Sequence, residues 1–225
     1  IEYAELIPKS IPLATVIPND YYLPWQWIHN NTGDNFSGYY GIGSDHPIQD
    51  ADIDSLEAWE IETGSENVII AFPDQEFELD HPDFVNKHWI NINEIPENGI
   101  DDDDNGYIDD HYGYSYADRS GNFDDLNCKS ASYCHGGGVA SWLANTNNSI
   151  GISGVCWNCK IMAIERLSIS GIPYALDNGA KIVSFSYYGG SIPTQTGQNF
   201  INLAHDLGVT VFAAIGNGCD PNDPL

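Results

Sequence analysis

Residues 68–72, Val-Ile-Ile-Ala-Phe, form an unbroken apolar run that stops at Pro73-Asp74. A short continuous run rich in β-branched residues is the habit of a strand buried on both faces, as in a parallel sheet flanked by helices. The chain is therefore expected to be an α/β protein. The run also puts an acid just past the C-terminal end of a buried strand, where open α/β sheets build their sites. A solvated loop carboxylate would fit these letters equally well, so the rest of the chain has to decide.

From residue 135 the pattern alternates. HGGGVASWLANTN reads as a helix and KIMAIERL (160–167) as a strand. IPYALDNGA reads as a helix stopped by Gly179, and KIVSFSY (181–187) as a strand. QTGQNFINLAHDLG (195–208) is a helix closed by Gly208, and VTVFAAIGN (209–217) another buried strand. Such alternation predicts a mostly parallel central sheet with helices on both faces. Upstream, ADIDSLEAWEIETG (51–64) predicts a short helix capped by Asp54 or Ser55, with Leu56, Trp59 and Ile61 on its apolar side and Gly64 at its end. Residues 1–20 read as an extended, proline-punctuated lead-in, and 21–225 as one domain. Within it, residues 85–134 make a polar, acid-rich insertion too long for an idle connection.

The length of 225 residues suits one sizeable core. The 33 Asp and Glu against 7 Lys and Arg give a formal charge of −26. That surface repels nucleic acid and anionic membranes and draws divalent cations. No apolar stretch approaches the 18 residues of a membrane span. The acidic, Asn- and Tyr-rich, Lys-poor composition suits a secreted protein. In that setting the five cysteines, Cys128, Cys134, Cys156, Cys159 and Cys219, read as local structural disulfides with one left over. A four-cysteine zinc site from the 128/134 and 156/159 pairs is the alternative, with spacings unlike those of zinc ribbons.

Three polar residues close or open apolar runs: Asp74, His135 at a glycine-rich helix start, and Asn217 at the end of VTVFAAIGN. Acid, imidazole and amide are the parts of an acyl-transfer site, in which the acid orients the imidazole, the imidazole takes a proton from a nucleophile, and the amide donates to an oxyanion. Here the chain resembles the subtilisin-like serine peptidases. AFPDQEFELDHPDF resembles that family's Asp-Thr-Gly block with its trailing His-Pro-Asp, and HGGGVASWLA its His-Gly-Thr-His-Val-Ala block. NGAKIVSFSYYGG is similar to the substrate-binding strand and GVTVFAAIGN to the oxyanion-asparagine block. IEYAEL looks like the end of an inhibitory propeptide. The resemblance implies a subtilisin-like fold, peptide or protein partners, Asp74 as triad acid, His135 as general base and Asn217 as oxyanion donor.

The family's Gly-Thr-Ser-x-Ala-x-Pro block, which carries the nucleophile, does not occur in these residues, and Ser141, Ser184 and Ser186 fall elsewhere in the pattern. The Thr-Gly after the triad acid is Gln75-Glu76, the Thr-His after His135-Gly136 is Gly137-Gly138, and a glycine of the substrate strand is replaced by Tyr188. These departures lead to the expectation of a catalytically degenerate homologue, a calcium-stabilised binding or structural module that self-assembles. The alternative is a truncated piece of an active calcium-dependent endopeptidase.

Two calcium sites are expected. In DDDDNGYIDD (101–110), Asp101, Asp103, Asn105, Gly106 and Asp109 fall at positions 1, 3, 5, 6 and 9 of an EF-hand-type loop, with the Tyr107 carbonyl at position 7. Position 12 is Tyr112, so Asp110 or another acid has to complete the shell. The second site is implied by the family resemblance: Asp83, the Asn148 side chain and the carbonyls of Thr146, Ile150 and Ile152, with Asp20 as an N-terminal ligand.

Overall fold

The computed structural model describes residues 17–33, 48–121, 134–166, 168–186 and 194–214. Among them five strands form one sheet: β1 (Ile69–Asp74), β2 (Gly113–Ser115), β3 (Lys160–Glu165), β4 (Ile182–Phe185) and β5 (Thr210–Ala213). Their order is β2-β3-β1-β4-β5, and every pairing is parallel. The apolar run that opened the chain's pattern is thus the central strand, with Ala71 opposite both Met162 and Val183.

Alternate residues of these strands face opposite layers. Ala71, Met162, Ile164 and Val183 join the first core, with Ile172, Tyr174 and Ala175 of helix α3 (Ile172–Asp177) and Ala204 of helix α4 (Gln195–Asp206). Phe72, Ile161 and Ala163 face the second, with Phe77, Phe84, Ala140 of helix α2 (His135–Ala140) and Leu143. The sheet therefore carries helices on both faces, an α/β fold, as its strand pattern implied. Thr194 caps α4 by accepting from Gly197 N–H, and Gly179 and Gly208 follow α3 and α4 with positive φ, as helix-ending glycines do.

Three expectations are corrected in detail. Helix α1 covers only Ser55–Trp59, and Asp54 stands at its N-cap with φ 53° and no side-chain cap bond. Trp59 is buried but Ile61 is 80% exposed, because the helix has already ended there. Strand β5 is mostly exposed, with Phe212 58% accessible, since only β4 lies beside it among the described residues. Strand β2 lies inside the acid-rich insertion. At three residues it is too short to show a period, and it exists because Gly113, at φ 140°, lets the backbone lie against β3, where a Cβ would collide with the Ala163 carbonyl.

Cys156 and Cys159 are joined in a local disulfide, which sets aside the zinc alternative for that pair. Cys134 is disulfide-bonded too, while Cys128 and Cys219 lie outside the described residues. Lys87, 3% exposed, donates to the carbonyls of Cys156 and Trp157 at 3.0 and 2.7 Å. Burial, with Lys160 a lesser cause, pushes its amine down to about 8. No helix among the described residues is long and apolar enough to cross a membrane.

Candidate active site

The last residue of β1 is Asp74, fully buried, opposite Glu165 in the register. Its Oδ1 accepts two bonds, from Gln75 N–H at 2.8 Å and from His135 Nδ1 at 2.6 Å. The imidazole is 25% exposed while the acid is sealed, so the ring can be approached from solvent on the side away from Asp74. Asp74 Oδ2 is buried with no hydrogen-bond partner among the described residues.

The approach of His135 is built by backbone. Gly136 N–H donates to the Gln75 carbonyl at 2.7 Å and Gly137 N–H to the Glu76 carbonyl at 3.1 Å, pinning the start of α2 to the loop after β1. The closeness demands glycine at 136, where a Cβ would come within 2.7 Å of the Gln75 oxygen and 2.8 Å of the Phe77 ring. Gly138, by contrast, has nothing within 4 Å of where a Cβ would be. Glu76 occupies the left-handed region with φ 61°, a conformation that favours glycine. The loop thus keeps a glycine-type backbone at the position where the sequence substitutes a glutamate. Asn217 and Tyr188 lie outside the described residues.

The acid–imidazole arrangement can do one thing well: hold Nδ1–H toward the buried carboxylate, present Nε2 as the proton-accepting nitrogen, and stabilise the imidazolium formed on proton uptake. An open cleft of about 410 Å³ adjoins α2, lined by Glu78, His81, Phe84, Cys134 and Gly138 among others.

The acidic insertion is a web of carboxylate-to-backbone bonds. Asp101 accepts from Asn105 and Gly106 N–H at 3.0 and 2.8 Å, and Asp103 from Asn105 N–H at 3.1 Å. Asn105 Oδ1 accepts from Tyr107 N–H at 2.7 Å. Asp109 is turned the other way, accepting from Asn98 and Gly99 N–H. Asp110, fully buried, accepts from Asn91 at 2.8 Å, Tyr174 hydroxyl at 2.8 Å and Asn105 at 3.2 Å. Burial pushes its carboxyl up to about 6 against the pull of those donors. Glu94, which the loop spacing did not single out, brings a carboxylate oxygen within 4.8 Å of one from Asp101 and one from Asp103. A glutamate seven residues before the loop leaves no spacing signal by which it could have been found.

Around 147–151, Asp83 lies against Asn148 and Ile152. Asp83 accepts from Asn148 Nδ2 at 2.8 Å and Ile152 N–H at 3.0 Å, and Asn148 Oδ1 accepts from Ile150 N–H. Thr146 Oγ1 accepts from Gly154 N–H at 2.9 Å. Asp20, 3% exposed, uses both oxygens on Asn147 N–H, Asn148 N–H and the Ser153 hydroxyl. In this arrangement the loop is closed by hydrogen bonds, and each Asp83 oxygen accepts one N–H donor.

A parallel sheet with helices on both faces, carrying an imidazole bonded to a buried acid at the end of its central strand, defines an α/β scaffold with an acid–base pair. The subtilase family model matches residues 65–224, and the chain belongs to that family of subtilisin-like peptidases. It is 29% identical to a thermophilic serine proteinase of Bacillus sp. (strain AK1), over 96% of this chain and 44% of that protein. It is 30% identical to thermitase of Thermoactinomyces vulgaris, over 76% of this chain and 56% of that one. A solved protease structure from Pseudoalteromonas arctica shares the fold, with a TM-score of 0.56 at 24% identity over 89% of this chain and 59% of that one. The chain spans about half the length of these relatives.

Proposed function

We propose that this chain is part of a secreted, calcium-stabilised serine endopeptidase, with Asp74 as triad acid, His135 as general base and Asn217 as oxyanion donor. In this reading the attacking serine comes from polypeptide outside the 225 residues. The observation that carries it is the 2.6 Å bond from His135 Nδ1 to a fully buried Asp74. A scaffold used only for binding has no need to keep an imidazole so oriented. In the reaction, His135 Nε2 takes the serine proton as the hydroxyl oxygen attacks the scissile carbonyl, Asp74 stabilises the imidazolium, and the Asn217 amide donates to the oxygen that gains charge. The proton then passes from Nε2 to the leaving amine. Calcium is the implied ion. Asp83, Asn148 and the carbonyls of Thr146, Ile150 and Ile152 form an all-oxygen set suited to it, once Asn148 turns its amide oxygen inward. A second ion would be held by the acidic loop.

The departures at Gln75-Glu76 support a second reading, a catalytically inactive, self-assembling binding module. Glu76 sets a charged side chain and a strained backbone two residues from the acid. A fluorophosphonate probe separates the two. Labelling of the full-length native protein, abolished by His135→Ala, is the expected result. A folded full-length protein that does not label establishes the inactive module.

A further inference from the structure

Ser153 is fully buried, and the segment 17–31 engages its hydroxyl, its N–H and its carbonyl. The hydroxyl donates to Asp20 Oδ2 at 2.6 Å and the N–H to Gln26 Oε1 at 2.7 Å. The carbonyl accepts from Gln26 Nε2 at 2.9 Å and from His29 Nε2 at 3.0 Å. Tyr22 N–H to the Gly151 carbonyl and Ser149 N–H to Asn19 Oδ1, both at 2.9 Å, lay the segment along the 147–153 loop. Of the side chains in this set, only the imidazole ordinarily changes charge between pH 5 and pH 8. His29 is 1% exposed. A carbonyl can only accept, so Nε2 carries the ring proton and Nδ1 is left as the acceptor for the Ser55 hydroxyl at 2.9 Å. Trp59 and Trp142 wall the ring, with centroids 5.0 and 6.5 Å away. A second proton, on Nδ1, would meet the hydroxyl hydrogen and bring a charge into a pocket closed to water.

We propose that His29 is an acid-operated latch: neutral, it locks segment 17–31 onto Ser153 and the start of α1, and protonated, it lets the segment lift from the 147–153 loop while the sheet stays folded. The charges that could oppose this are few. Asp52, in the turn before α1, favours the protonated ring. The α1 acid Glu57 is exposed and Glu60, just past the helix, half-exposed. Asp20, the one charged residue of the segment besides the histidine, spends its carboxylate on Ser153 and on Asn147 and Asn148 N–H. The turn 141–143 and the loop 149–157 carry no charged residue. Burial outweighs the Ser153 carbonyl and Asp52 and holds the imidazole below its ordinary 6.5. The lifted segment, with its ring in water, therefore takes up a proton more readily than the docked one. Docking is favoured in full above that ordinary value and weakens as pH falls below it. The bonds of Asp20 and Gln26 to the same serine are lost in the same step, which makes the release cooperative. The partners named lie in loops and at the start of α1, not in the sheet.

The test uses the full-length protein and hydrogen–deuterium exchange at pH 7.5 and pH 5, corrected for the intrinsic effect of pH on exchange. In wild type, protection of 17–31 is expected to fall severalfold at pH 5 while β1 and β3 keep theirs. His29→Gln keeps an amide N–H for the Ser153 carbonyl and cannot take up a proton, so its 17–31 segment should be protected alike at both values. Should His29→Gln fail to fold, the ring NMR signals of wild type read the same step. His29 has to stay neutral where the exposed His205 titrates, and to gain its proton as 17–31 opens. Protection of 17–31 that is equal at both pH values in wild type, or that falls as far in His29→Gln, overturns the inference. So does a sheet that opens together with the segment, because that is global acid unfolding and not a latch.

Discussion

Tyr174→Phe removes one hydroxyl from the centre of the first core and tests how the acidic insertion is tied to it. The ring is fully buried against Trp89, Tyr107 and Tyr114, so the phenylalanine keeps the packing and only the bond to Asp110 Oδ2 at 2.8 Å is lost. Burial and the Asp110 charge hold the phenol well above its usual range, so it stays a donor at every practical pH. Asp110 is an acid whose folded pKa, about 6, lies above its ordinary 3.8. The folded state therefore binds the extra proton between those values. The contribution of Asp110 to stability falls as pH rises through that window, by about 3 kcal/mol, and then levels off. Above pH 7 the hydroxyl donates to a carboxylate, a bond worth about 1.5–3 kcal/mol; at pH 5 it donates to a neutral acid and is worth about 1. Tyr174→Phe should thus cost about 2 kcal/mol at pH 7.5 and clearly less at pH 5. For a chain of this size that is a drop in Tm of roughly 4 °C at the higher pH. Urea unfolding of both proteins at fixed calcium across pH 5–8 measures it. A loss that is the same at both ends of the range would refute the idea that Asp110 is ionised and held by this hydroxyl.

Three further outcomes follow from named contacts. Asp74→Asn in the full-length protein should lower kcat by about 10⁴ through the wrong imidazole tautomer, read by cleavage of a peptide substrate, with an unchanged rate ruling out the assigned role. Glu76→Gly should raise stability by up to about 1 kcal/mol in urea unfolding, because the left-handed φ of 61° costs a glutamate more than a glycine; a destabilised variant would show that the glutamate side chain is needed. Gly151→Ala should cost about 2 kcal/mol or more, since φ is 51° and its Cβ would collide with the Asp83 carboxylate. A thermal melt like that of wild type would mean the 147–151 loop moves freely.

Much of the scaffold was legible from residues 68–74 and from the alternation after residue 135, because a strand buried on both faces is mostly apolar and two of the helices end at glycines with positive φ, Gly179 and Gly208. Asp74 and His135 were legible for a related reason: each stands where an apolar run ends or a helix begins. Strand β2 was not, since three residues show no period and its pairing depends on β3 being there. The approach of Glu94 to Asp101 and Asp103 was not, because an acid from a separate turn leaves no mark on the loop spacing. Asp109 fits the loop by position, and its carboxylate accepts from the N–H groups of Asn98 and Gly99, contacts that no spacing announces.

The order of apolar runs, glycines and acids along the chain, taken alone, was enough to point to an α/β sheet and to single out Asp74 and His135 as candidates. Only the tertiary structure decided that Asp74 is sealed from water with His135 2.6 Å away, and which acids of the insertion face one another. The reason is that backbone preference and burial are local or periodic properties written in sequence order. The partner of a carboxylate is whatever donor or charge folding brings within about 3 Å, and sequence distance does not limit it.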